Sequence, residues 1–236
     1  MKILTHTKHG LLGLLLDALS LLPLTDSEHR MVVSSFLISF DTHLHAPPRK
    51  TGEPYFSHII RQILRVIQMM VWHEVVSAEL ICIILLHDTI EDATKGKTTP
   101  FMVTSNIQLL VGDFITSCVQ ILTKNKEIET REMYLLSVIA SDVWLVLVAK
   151  PYDGEDNTKT LAATDITTQA MKVREVFIHY PKMKARAIEL IQRAGESGNL
   201  PDWKNWIALV KHIHRDLRRH AWKQRRRLAA MNIKVM

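Results

Sequence analysis

The 236-residue chain predicts an all-α fold, a helical bundle with a basic C-terminal helix, and three observations carry that prediction. Apolar residues return at helical spacing in Ile59, Ile60, Ile63, Leu64, Ile67, Met70 and Val71. They do so again in Trp203, Trp206, Ile207, Val210, Ile213, Leu217, Ala221 and Leu228. No stretch shows the glycine-punctuated alternation that strands need. Thr25 with Glu28 makes a capping-box pattern ahead of an apolar run. At 47% hydrophobic content the chain can bury one sizeable core with an appended element. The expected division is a main domain over residues 1–195 with N-terminal helices, and a basic amphipathic extension over 196–236.

The elements follow in order. Residues 9–22 are leucine-rich and stop before Pro23, which predicts a short helix. Residues 31–40 follow the capping box as an apolar helix. Ala46, Pro47 and Pro48 break it and present Arg49 and Lys50 on a loop. The next helix starts near Ser57 and carries His58 in its first turns. Residues 77–86 have the isoleucine content of a strand, but the run from 75 to 86 shows no alternation, so a buried helix is expected. Lys95, Gly96 and Lys97 read as a loop. Helices are expected over 99–111 and 113–122, a polar loop over 123–130 and a helix over 132–140. Ser141 or Asp142 then caps a helix over 143–150.

Charge is unevenly placed. Residues 202–236 hold ten Lys/Arg and two acids, a net of +8, so the rest of the +6 chain carries about −2. No apolar run reaches the roughly twenty residues that cross a bilayer. Lys2, Lys8 and the run from Leu11 to Leu16 resemble a signal peptide, but Asp17 follows at once and no small-x-small cleavage site precedes Pro23. A buried N-terminal helix is expected there. Cys82 and Cys118 lie in apolar runs and read as buried thiols, consistent with a reducing cytoplasm.

The chemistry concentrates in Leu85, Leu86, His87, Asp88, Thr89, Ile90, Glu91 and Asp92. Charge at the end of a buried helix costs several kcal/mol unless it has a partner or a metal. An imidazole nitrogen beside a carboxylate oxygen suits a divalent ion of intermediate softness. Glu91 and Asp92 lie about one turn further on, within reach of a water held by such an ion. The competing reading is a helix C-terminus whose histidine favours the dipole and whose acids are solvated.

A second stretch, Arg49 to His58, contains Arg49, Lys50, Gly52, Glu53, Pro54, Tyr55 and His58. Joined to His87, Asp88, Glu91 and Asp92 about thirty residues later, it resembles the hydrolase half of the RelA/SpoT family. These are HD-domain enzymes that remove the 3′-pyrophosphate from the alarmone (p)ppGpp. The resemblance runs from about residue 35 to 181 and implies an all-α HD-domain bundle.

An HD site takes a last acid from a later helix. Residues 150–161 resemble the family's Lys-Leu-Ala-Asp-Arg-Leu-His-Asn-Met-Arg-Thr-Leu. Lys150, Asp153, Asn157, Thr160 and Leu161 fall in register. The resemblance puts Asp153 in the metal-ligand position, and Asn157 and Thr160 where the family lines its nucleotide pocket. Pro151, Gly154, Glu155 and Asp156 depart from the pattern. A proline inside a helix removes a hydrogen bond, and a glycine loosens the backbone. A kink or interruption at Asp153 is therefore expected. The bland alternative is an acidic surface loop in chance register.

The resemblance implies a metal set of His58, His87, Asp88 and Asp153. Its mixed nitrogen and oxygen donors leave open positions and suit Mn²⁺ or another divalent transition metal. Glu91 and Asp92 are the expected catalytic pair for the attacking water. Arg49 is expected against the guanine, since a planar cation stacks on a base, with Lys50 supporting base or phosphates. Fewer than sixty residues follow Pro181, too few for the synthetase of the long family members. The expectation is thus a stand-alone, cytoplasmic, manganese-dependent (p)ppGpp 3′-pyrophosphohydrolase of the stringent response. The rivals are an HD phosphohydrolase for another nucleotide, and a non-catalytic HD scaffold with a regulatory role. For the C-terminal helix the bland reading is a Trp seam packed on the bundle under a solvated basic face. The sharper one is an acidic partner such as nucleic acid or a ribosome surface, and a third is steering of a polyanionic substrate. No membrane contact is expected.

Overall fold

The structure, a computed structural model, describes residues 7–96, 98–233 and 235. Lys97, the last residue of the expected 95–97 loop, lies outside them. Every regular element among the described residues is helical. None of these helices is long and apolar enough to cross a membrane. The chain forms two compact units, residues 1–134 and 135–236, so the division falls within a helix, α8 (Arg131–Ile139).

The first unit holds α1 (Lys8–Leu19), α2 (Asp26–His43), α3 (Phe56–His73), α4 (Ala78–Leu86), α5 (Thr89–Asp92), α6 (Pro100–Leu110) and α7 (Asp113–Leu122). Its axis is α4, in which every residue but Glu79 is buried. Helices α2, α3 and α7 pack around it. A helix apolar on all sides is stable only when surrounded, which is why no alternation marks it in the sequence. The capping box opens α2 as expected: Thr25 N–H donates to Glu28 Oε2 at 2.7 Å, and Glu28 N–H to Thr25 Oγ1 at 3.3 Å. The helix starts at once after this cap and continues to His43, one turn beyond the expected end. Phe56 sets its ring edge-on to Phe36 and Phe40, at 5.4 and 5.2 Å between centroids, and pins α2 to the start of α3.

The second unit holds α9 (Trp144–Thr160), α10 (Ile166–Ile178), α11 (Tyr180–Glu196) and α12 (Trp203–Ala230). Helix α12 packs on α9, α10 and α11. Its seam is buried at Trp206, Val210, Ile213, Leu217, Ala221 and Leu228, while Lys211, Arg215, Arg218, Arg219 and Lys223 are exposed. Of the expected kink or interruption at Asp153, the interruption is absent: α9 runs from Trp144 to Thr160 with Pro151 inside it. Every residue from Leu145 to Asp156 is buried. Tertiary packing of this extent offsets the one hydrogen bond that proline removes. Gly154 is part of that packing. A Cβ there would lie 2.5 Å from the Tyr180 hydroxyl oxygen, so the missing side chain is what lets Tyr180 of α11 lie against α9.

His214 of α12 is buried in this unit. Burial, then the charge of Lys184, pushes its pKa down to about 3. Its folded pKa is below the unfolded value of about 6.5, so between those values the unfolded chain binds the extra proton. Stability is therefore full above pH 6.5 and falls as pH drops, by about 1.4 kcal/mol per pH unit from this group. Urea unfolding at pH 6.5 and pH 5 is expected to show a loss about 2 kcal/mol smaller in His214→Gln than in the unsubstituted chain. Equal losses in the two proteins would contradict it.

Candidate metal centre

The site in the first unit begins with the way α4 ends. Its last carbonyls would be left without helical partners. Ile84 accepts from His87 Nδ1–H at 2.8 Å, Leu85 from Ser39 Oγ–H at 2.6 Å, and Leu86 from Thr89 Oγ1–H at 2.6 Å. Each bond closes a carbonyl, and together they stop the helix at a corner occupied by His87 and Asp88. Helix α5 restarts immediately, and Asp92 N–H donates to the Asp88 carbonyl at 2.9 Å.

His58 reaches the corner from the first turn of α3. Its Nδ1–H donates to the Tyr55 carbonyl at 2.5 Å. Both imidazoles therefore have one nitrogen fixed by a backbone carbonyl and turn Nε2 toward Asp88. The Nε2 atoms of His58 and His87 lie 3.5 and 3.2 Å from Asp88 Oδ2. The three ligand-type atoms fall within 4.8 Å of one another, and both histidines are buried. Burial works against the Asp88 charge, but His87 and His58 outweigh it and hold this carboxyl well below the usual range. Tyr55 donates its hydroxyl to Asp88 Oδ2 at 3.1 Å. Burial, with the nearby Asp88 and Asp92 carboxylates, pushes the Tyr55 phenol far up, so it remains a donor.

The donor set fits a divalent metal. Histidine ligands typically donate their other ring N–H to a carbonyl, which fixes the tautomer and orients the lone pair. His58 and His87 both do so here. Two imidazoles and one carboxylate leave further positions for water or substrate, unlike a closed structural site.

The expected catalytic acids flank this set on α5. Asp92 is buried, and its Oδ2 lies 4.0 Å from His43 Nε2. Glu91 is half-buried and pairs with Lys126 Nζ at 2.9 Å. The Arg49 loop is shaped by its own backbone: Arg49 N–H donates to the Glu53 carbonyl, and Gly52 N–H to the Arg49 carbonyl, at 3.0 and 2.8 Å. Gly52 has φ of +80°, which glycine adopts without cost. Arg61 grips Glu53 through both nitrogens, at 2.5 and 3.0 Å. This ties the loop to α3. Arg49 is half-buried and Lys50 exposed.

Three residues enter the site that carried no role in the sequence reading. His43 stacks on Tyr55 with ring centroids 4.9 Å apart, and its Nδ1–H donates to the Ser39 carbonyl at 2.7 Å. Burial pulls its pKa down to about 4, so the ring is neutral. Tyr55 stood in the quoted motif without an assignment. Lys126 comes from the polar loop after α7, where one lysine among several polar residues gives no signal.

Asp153 lies in the second unit. Its carboxylate accepts from Lys150 Nζ at 2.7 Å and from Asn157 Nδ2 at 2.5 Å. Thr160 donates its hydroxyl to the Asp156 carbonyl at 3.1 Å. Within α9, then, Asn157 orients Asp153 and Thr160 bonds back to its own helix. No protein-family model matches the chain, and no curated protein matches it either.

Proposed function

We propose that the chain is a metal-dependent, cytoplasmic (p)ppGpp 3′-pyrophosphohydrolase that releases pyrophosphate and leaves a guanosine 5′-phosphate. The observation that carries this reading is the His58, His87, Asp88 corner, with the acids of α5 beside it and the Arg49 loop on α3. His58, His87 and Asp88 would hold the ion, and Asp153 is assigned to the set by the resemblance of residues 150–161 alone. Mn²⁺ is the favoured ion, because mixed nitrogen and oxygen donors suit it. A bound divalent metal supplies Lewis acidity and lowers the pKa of a coordinated water.

The chain's own residues do the rest. Glu91 is the residue proposed to take the proton of the attacking water. Its ion pair with Lys126, whose side chain is itself more than half exposed, is weak enough to exchange. Asp92 orients that water. Tyr55 keeps Asp88 aligned. Arg49 stacks on the guanine, and Lys50 meets the phosphates. Asn157 is assigned to holding Asp153, and Thr160 to the nucleotide side of α9.

Incubation with ppGpp and Mn²⁺ is expected to release pyrophosphate, and chelation to abolish the release. Product identification by ion-exchange chromatography separates GDP plus pyrophosphate from stepwise phosphate loss. Absence of turnover with Mn²⁺, Co²⁺, Fe²⁺ and Mg²⁺ alike overturns the reading.

A further inference from the structure

A cavity of about 800 Å³ opens in the second unit between α11 and α12. Its size is that of a pocket for a single small molecule. Ile188 and Leu217 give it apolar walls. Its mouth is cationic, with Lys184 from α11 and Lys211, Arg215 and Arg218 from α12, and no acid lines it. Asp216 neutralises the neighbouring Arg219 at 2.5 Å. Among the described residues Lys184, Lys211 and Arg215 have no ion-pair partner. Cations gathered on one wall repel one another, and an anion relieves that repulsion.

The order of these residues narrows the ligand. Positions 211, 215, 218 and 222 share one face of α12. Three cations are thus followed by an aromatic ring, over about 16 Å at 1.5 Å per residue. Trp222 lines the cavity and is 44% exposed, with Arg225 5.0 Å from its ring centroid. A row of charges suits a chain of phosphates better than a single carboxylate. A flat ring at the end of the row suits an aromatic base, since every base has a π-face that stacks on an aromatic side chain. We infer that this cavity binds a nucleotide carrying a polyphosphate, with its phosphates along Lys211, Arg215 and Arg218 and its base on Trp222. The site belongs to the second unit and does not depend on the reading of the metal centre.

ATP serves as the probe, titrated calorimetrically into the full chain in EDTA, so that metal-dependent binding elsewhere is silent. One molecule is expected to bind per chain at micromolar concentration. Lys211→Gln with Arg215→Gln, both at exposed positions, is expected to weaken ATP at least tenfold. Trp222→Ala is expected to weaken ATP several-fold while leaving inorganic triphosphate unchanged. His87→Ala is expected to bind ATP normally. The inference is overturned by no binding below 1 mM, by equal affinity in the double variant, or by loss of ATP in His87→Ala. Tighter binding of dodecyl phosphate than of ATP overturns it in favour of a ligand with a long alkyl chain. Tighter binding of a single-stranded oligonucleotide than of ATP overturns it in favour of nucleic acid.

Discussion

His87→Ala is expected to lose bound metal and ppGpp turnover together, whereas Glu91→Gln retains the metal and loses about 10²–10⁴-fold in rate. The contrast follows from where the two side chains stand. His87 supplies Nε2 to the corner while its Nδ1–H closes the Ile84 carbonyl. Removing it takes away a proposed ligand and the group that balances the Asp88 charge. Glu91 lies on α5, half-buried, with its carboxylate on Lys126. The amide keeps its size and gives up an ion pair of the kind worth only about 0–1 kcal/mol. The fold and the three-residue set are thus left intact, and only the capacity to take a proton is lost. Metal content by elemental analysis and turnover by pyrophosphate release check both variants side by side. A Glu91→Gln protein of near-normal rate would assign the proton transfer elsewhere, with Asp92 next in line. A His87→Ala protein that keeps its metal would remove His87 from the ligand set.

Much of this corner was legible in the sequence, because its parts are local. Residues 85–92 end a helix, turn and begin another, and the polar residues that do so are adjacent in the chain. His58 was placed at the start of its helix by the apolar period that follows it. The helical content was equally legible: α4, α6 and α7 lie within a residue or two of where spacing put them. His43 was not legible, because an apolar period marks where a helix buries its face and not where its backbone ends. The run stopped at Phe40, while α2 continues to His43 under the packing of Tyr55 and Phe56. The continuity of α9 was not legible for a related reason. Pro151 and Gly154 are helix-breaking by intrinsic propensity, but propensity counts neither the burial of α9 nor the ring that Gly154 admits.

That ring changes what substitution at Gly154 is expected to do. The RelA/SpoT pattern that residues 150–161 resemble has arginine at the matching position, and placing it there together with Leu at Pro151 would firm an interrupted helix. In a continuous, buried α9 the outcome is the opposite. The first atom of any side chain at 154 meets the Tyr180 hydroxyl oxygen at 2.5 Å and its ring carbons at 2.8 and 3.0 Å. Tyr180 is itself buried, so it has little room to retreat. Gly154→Ala is expected to cost about 1–3 kcal/mol by overpacking, set against about 1 kcal/mol gained from helix propensity. Gly154→Arg adds a buried cation to that clash and is expected to cost more than about 3 kcal/mol. Asp153 lies one residue before, held by Lys150 and Asn157, and shifting α9 to accommodate Tyr180 would displace it. The test is urea unfolding of Gly154→Ala, Gly154→Arg and Gly154→Ala with Tyr180→Leu. The smaller, flexible leucine is expected to recover most of the loss from the alanine, because it vacates the space the new Cβ needs. Full stability in Gly154→Arg, or no recovery in the paired variant, would show that Tyr180 does not set the cost at this position.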